Sequence, residues 1–192
     1  MYTIIQLLQS PEAMRKITII FLITLFFSSC QNTVKEKTVP IDNKYSLTIP
    51  SFLNKSNTLN EDASLQYEHR MKELYVIVVD DLISDLDKAI DENDLSNHYS
   101  KDIHGYTNLS LDGFELEISV LEKSEPLFTT INNLPVYMTT IKANVNNFDA
   151  FYSLAFIEGE NRYYQIMTWT LAAKESEHKD KMQRMIYSFK EL

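Results

Sequence analysis

"LPVYMTTIKANVNNFDAFYSLAFIEGENRYYQIMTWT", Leu134 to Thr170, decides the fold. Three runs rich in β-branched and aromatic residues are separated by Asn146-Asn147 and by Gly159-Glu160-Asn161. Asn and Gly accept the left-handed backbone that tight hairpin turns need, so the three runs are predicted to form an antiparallel meander. In the middle run Phe151, Ala155 and Ile157 fall on one parity, and Tyr152, Leu154 and Phe156 on the other. A strand that is apolar on both faces must be covered on both, which calls for a layer on each side of the sheet.

Upstream, "KYSLTIP" alternates Tyr45, Leu47 and Ile49 with polar neighbours until Pro50 stops it, the period of a half-buried strand. "SFLNKSNTLNED" reads as a connection, "ASLQYEH" repeats the alternation with Ala63, Leu65 and Tyr67, and "ELYVIVVDD" is apolar on both parities. From Ser84 to Asn97 the chain is acidic, with Leu86, Ala89 and Ile90 at helical spacing, and predicts a short amphipathic helix capped by Ser84. Leu111, Phe114, Ile118 and Leu121 then predict a helix over about Ile103 to Ser119. Residues 114–120 remain open to either state, because "FELEISV" also alternates as a strand does and Gly113 weakens a helix by about 1 kcal/mol relative to Ala. Met182, Met185, Ile186 and Phe189 form the stripe of a terminal helix. A methionine stripe suits an adaptable binding surface, but core packing is the expected use. The sum is an α+β protein: a central, mainly antiparallel sheet between helices.

The beginning of the chain reads as an address. Arg15 and Lys16 precede an uninterrupted apolar run from Ile17 to Phe27, closed by Ser28, Ser29 and the single cysteine, Cys30. This is the layout of a secretory signal, and the run is too short for the roughly 20 residues of a membrane-spanning helix. Phe27-Ser28-Ser29-Cys30 resembles a lipobox, in which the cysteine is acylated and becomes the first mature residue; Phe27 departs from the usual Leu. The other reading is an ordinary secretory signal with a chance cysteine. Residues 1–29 are thus expected to be a signal peptide, with a true start at Met14, residues 30–42 a lipidated tether, and residues 43–192 one domain. Neither an Asp nor an acidic pair follows Cys30 closely, so the periplasmic side of the outer membrane is the expected destination.

Lys and Arg number 18 against 27 Asp and Glu, a formal charge of −9, and removing residues 1–29 makes the remainder more acidic still. Nucleic acid binding, which rests on cations meeting phosphates, is disfavoured, and membrane attachment must come from the lipid on Cys30. With 44% apolar residues the chain can build a core without disulfides, and a monomeric domain is expected.

Taken together, "YSLTIP", "ASLQYEH", "ELYVIVVDD", "FYSLAFIEGENRYYQIMTWT" and "KMQRMIYSFKEL" resemble the PsbP-like superfamily, in particular its bacterial lipoproteins, over about Tyr45 to Leu192. The resemblance implies an α-β-α sandwich; the roles of particular members do not transfer to this chain, although their adaptor character motivates the expectation of a binding module, and no catalytic residues and no cofactor carry over.

Candidate chemistry in the residues is thin. Asp80, Asp81, Asp85, Asp87, Asp91, Glu92 and Asp94 form an acidic cluster that could hold a hard cation, although the Gly and terminal Glu of a calcium loop are missing. His98 and His104, with Asp102, are weak transition-metal candidates whose spacing matches no standard site, and His69 and His178 stand alone. No G-x-S-x-G, HExxH or glycine-rich phosphate loop occurs, and only Gly105, Gly113 and Gly159 are glycines. Tyr137, Tyr152, Tyr163, Tyr164 and Trp169 could line a groove, but core packing is the expected use. The expectation is a non-enzymatic, membrane-anchored protein-binding or assembly module; the alternative is a binder of a small ligand or divalent cation.

Overall fold

A computed structural model describes residues 34–192. In chain order these form β1 (Glu36–Ile41), β2 (Tyr45–Pro50), β3 (Asn54–Lys55), β4 (Leu65–His69), β5 (Leu74–Leu82), α1 (Ile83–Glu92), α2 (Ile103–Leu116), β6 (Ser119–Lys123), β7 (Leu127–Ile131), β8 (Leu134–Val145), β9 (Phe148–Glu158), β10 (Arg162–Leu171), α3 (Glu175–Tyr187) and β11 (Lys190–Glu191). Cys30 and the signal expected before it lie outside the described residues.

The meander is β8, β9 and β10, paired antiparallel. Asn132-Asn133 and Asn146-Asn147 turn the chain between β7, β8 and β9 with both residues of each pair at positive φ, the mirror-image turn whose twist suits a hairpin. The full sheet has eight strands, in the order β3-β4-β5-β10-β9-β8-β6 with β7 also on β8, and a second sheet of three runs β1-β2-β11.

Both faces are covered, as the two-faced β9 demands. On one side Tyr45, Leu47 and Ile49 of β2, Met182, Met185 and Ile186 of α3, and Phe189 pack against Val76, Val78, Phe151, Ala155, Ile157 and Ile166. On the other, Leu86 and Ile90 of α1 and Ile103, Tyr106 and Leu111 of α2 pack against Ile141, Leu154, Phe156 and Tyr163. The methionine stripe is therefore core, and the fold is the expected α-β-α sandwich.

Three local expectations are corrected. Residues 36–41 are not tether: β1 pairs with β2 along its whole length and presents Val39 and Ile41 to the core, so the compact unit begins at Lys35. Ser84 does not cap α1; the chain turns from β5 into the helix at Leu82, and the amide of Ile83 is satisfied by the carbonyl of Asn161 in the β9–β10 turn at 3.1 Å. Finally, α2 ends at Leu116 rather than near Ser119, because the following residues leave the helix to pair with β8, Ser119 opposite Asn144. The ambiguity over 114–120 resolves as both: helix first, strand after. The start of α2 is firmly built, since Asp102 accepts from the amide of Gly105 at 2.9 Å and Gly105 lies so close to the backbone of Ser100 that no Cβ would fit.

Candidate functional site

Helix α2 packs over β8 and β9 and leaves the β5–β10 part of the same face open. There a cavity of about 400 Å³ lies between the helix and the sheet, with Ile77 and Val79 of β5, Tyr152 of β9, Gln165, Met167 and Trp169 of β10, and Gly113 and Phe114 of α2 in its wall. A second cavity of about 300 Å³ shares Val145, Tyr152 and Trp169 with it and extends over Tyr75, Phe148 and Leu171. The two form one groove.

Strand register builds its aromatic floor. Trp169 lies opposite Tyr75 on β5 and opposite Tyr152 on β9, so three rings stand in a row across three strands. Trp169 stacks on Tyr75 at 5.0 Å and 8°, and faces Tyr152 at 6.3 Å and 26°. Phe114 continues the row from α2, edge-on to Tyr152 at 5.1 Å. Cross-strand aromatic pairs of this kind stabilise the sheet and hold each ring in place. Phe148 at the groove's end is 66% exposed.

The polar lining, which includes Asn60, Ser110 and Gln165, is charged with one sign only. Neither cavity has a lysine, arginine or histidine in its wall; Glu117 lines the first and Glu73 the second. Neither glutamate is in an ion pair among the described residues. Glu73 accepts from the Tyr75 hydroxyl at 2.9 Å, and burial together with that bond pushes the Tyr75 phenol up to about 12. Tyr152 is only 7% exposed, and its hydroxyl has no partner among the described residues; burial alone raises its pKa. Among the described residues no hydrogen-bonded nucleophile and base line the groove, whose walls combine apolar side chains with Asn60, Ser110, Gln165 and the two glutamates.

The acidic cluster is dispersed by the fold. Asp80 is buried under Lys44 at 3.0 Å and Arg162 at 2.7 Å. Asp81 accepts from Tyr106 at 3.2 Å, and burial raises its pKa against that bond. On α1, Asp85 is exposed, Asp87 is half-buried, and Asp91 pairs with Lys101 at 2.6 Å. His98 is exposed beside Tyr99, while His104 is exposed on α2 and meets the edge of Tyr137 at 5.8 Å. Asp85, Asp87, Asp91, His98 and His104 are thus not brought into one ligand set, and among the described residues no group of three or more His, Cys, Asp or Glu converges.

The aromatic expectation divides. Tyr163 stacks on Tyr106 at 4.5 Å, and Tyr164 packs with Tyr45 and Phe189 on the opposite face, both as core. Tyr152 and Trp169 instead floor the groove. Phe114, read from the sequence only as part of the α2 stripe, belongs with them, as do Tyr75, Phe148 and Gln165, which were not singled out. The signal for Tyr75 and Gln165 lies in the pairing of β5 with β10, two strands far apart in the chain.

One antiparallel sheet between a helical layer and a layer of helix plus small sheet is the PsbP-like fold. The chain is similar to cyanobacterial PsbP (CyanoP) from Synechocystis, with a TM-score of 0.51 at 9% identity, covering 86% of this chain and 99% of that one. It is also similar to LpqN, described as involved in cell envelope biogenesis of Mycobacterium tuberculosis, with a TM-score of 0.52 at 7% identity, covering 83% of this chain and 92% of that one. At these identities the likeness shows the fold alone. No family model matches the chain, and no curated protein matches it.

Proposed function

We propose that this protein is a non-catalytic binding module of the cell envelope, anchored by lipid on Cys30 at the periplasmic side of the outer membrane, that docks a protein partner in the groove beside α2. The observation that carries the reading is the row Tyr75, Trp169, Tyr152 and Phe114, in which Tyr152 is buried and the other three rings are partly exposed, with Phe148 exposed at its end. Aromatic side chains held rigidly by their neighbours and left half-exposed are what protein interfaces use as anchors. Phe148 carries the apolar surface beyond the cavity, which favours a macromolecular partner over an enclosed small ligand. The envelope connection of LpqN agrees with the address written in residues 14–30.

Gly113 supplies a clean test. It lies in the groove wall on α2, and a Cβ there would meet nothing within 4 Å, so Gly113→Phe fills the groove without disturbing the core. A photoreactive side chain at position 148 in cells should give one discrete protein adduct, lost in the Gly113→Phe background. Absence of any protein adduct, or one indifferent to Gly113→Phe, overturns the docking. Loss of labelled palmitate in Cys30→Ser tests the anchor separately, and domain removal by protease on intact cells would contradict the periplasmic placement.

A further inference from the structure

We propose that the occupant of this groove is an apolar segment of the partner protein flanked on both sides by lysine or arginine. The inference rests on the docking reading and adds the partner's chemistry. The floor is largely aromatic, yet each cavity carries a carboxylate in its wall, Glu117 in the first and Glu73 in the second, and no cation lines either. In a chain of formal charge −9, an anionic ligand would enter against both the local and the global field, whereas flanking cations would be drawn in.

The hydrogen-bonding pattern points to a peptide rather than to a bare hydrocarbon. Tyr152 lines both cavities where they meet and is nine-tenths buried with its hydroxyl unpartnered among the described residues. That hydroxyl is not sealed from solvent, and an incoming backbone carbonyl can accept from it in place of water. Gln165, half-buried in the same wall, offers a side-chain amide that also has no partner among the described residues. An amide carries both donor and acceptor groups and so matches a peptide unit reciprocally. An apolar side chain over Trp169 and Met167, with its own backbone meeting Tyr152 and Gln165, fills the groove's needs.

The test uses the chain from Gln31 onward, which keeps the whole compact unit from Lys35 to Leu192 and both of its cores. Trp169 is the only tryptophan, so its emission reports the groove directly. The probes are the synthetic peptides Lys-Lys-Leu-Leu-Phe-Leu-Lys-Lys and Glu-Glu-Leu-Leu-Phe-Leu-Glu-Glu. At low salt the basic-flanked peptide should shift Trp169 emission and bind about tenfold more tightly than the acidic-flanked one, a difference that shrinks as salt screens the ends. Glu117→Lys should narrow the preference, and Glu73→Lys with Glu117→Lys should reverse it; Glu117 is exposed, so the single variant decides the matter if the double one does not fold. Equal binding of both peptides, abolished by Gly113→Phe, overturns the charge inference and leaves the docking reading standing. If neither peptide moves Trp169 emission, both readings are overturned.

Discussion

Phe189→Ala should cost the domain about 4 kcal/mol, within the range of roughly 3–5 kcal/mol seen when a fully buried phenylalanine is truncated. The side chain is fully buried, stacks on Tyr45 at 5.5 Å and meets Tyr164 at 4.9 Å. Two aromatic contacts of ~0.5–1.5 kcal/mol each beyond simple burial place the loss away from the lower end of that range. The space left behind cannot close easily, because Tyr45 sits on β2 and Tyr164 on β10, strands held by their own ladders. For a domain of this length the loss should lower Tm by roughly 8–16 °C. Urea unfolding followed by far-ultraviolet circular dichroism measures it, with Trp169 emission of the folded state as a control on the opposite face. A loss below ~1.5 kcal/mol would refute the reasoning, since it would mean that Phe189 is not sealed between the two sheets.

Tyr152→Phe should leave stability nearly unchanged, because its hydroxyl makes no hydrogen bond among the described residues and is not sealed from solvent; thermal melts showing a loss above about 1 kcal/mol would mean that the hydroxyl is bonded in the folded protein. Starting the chain at Asp42 deletes β1, withdraws Val39 and Ile41 from the core and bares one edge of β2, so Tm should fall and light scattering should show association. His178 is 1% exposed, and burial holds its pKa below the ordinary 6.5, against the bond between its Nε2 and the Lys72 carbonyl at 2.8 Å. Its unfolded form therefore binds a proton first as pH drops: the stability it contributes is complete above about 6.5 and declines below it, and His178→Gln should flatten the denaturation midpoint between pH 7 and 5.

The meander was legible because its signals are local. Asn146-Asn147 names its own turn, and the two parities of β9 announce two covered faces. The same locality explains the errors. β1 carries "EKTVPI", polar enough to pass for tether, and becomes a strand only because β2 offers it an edge. Ser84 looks like a cap until the carbonyl of Asn161 arrives from 77 positions away to do that work. The floor of the groove depends on Tyr75 lying opposite Trp169, which nothing near either residue reveals. Tyr152 and Trp169 could be read as aromatic strand residues; that they meet at the wall of one groove could not.

The small sheet places β2 between β1 and β11, the first and last strands of the domain. Lys190 pairs with Ser46, and Phe189 closes over Tyr45, so the layer near the start of the unit is sealed by its end. Folding therefore cannot finish on a growing or partly threaded chain: β2 has to wait, with its apolar face uncovered, until the last turn of α3 and the residues after it arrive. Contacts of such long sequence separation make for slow completion.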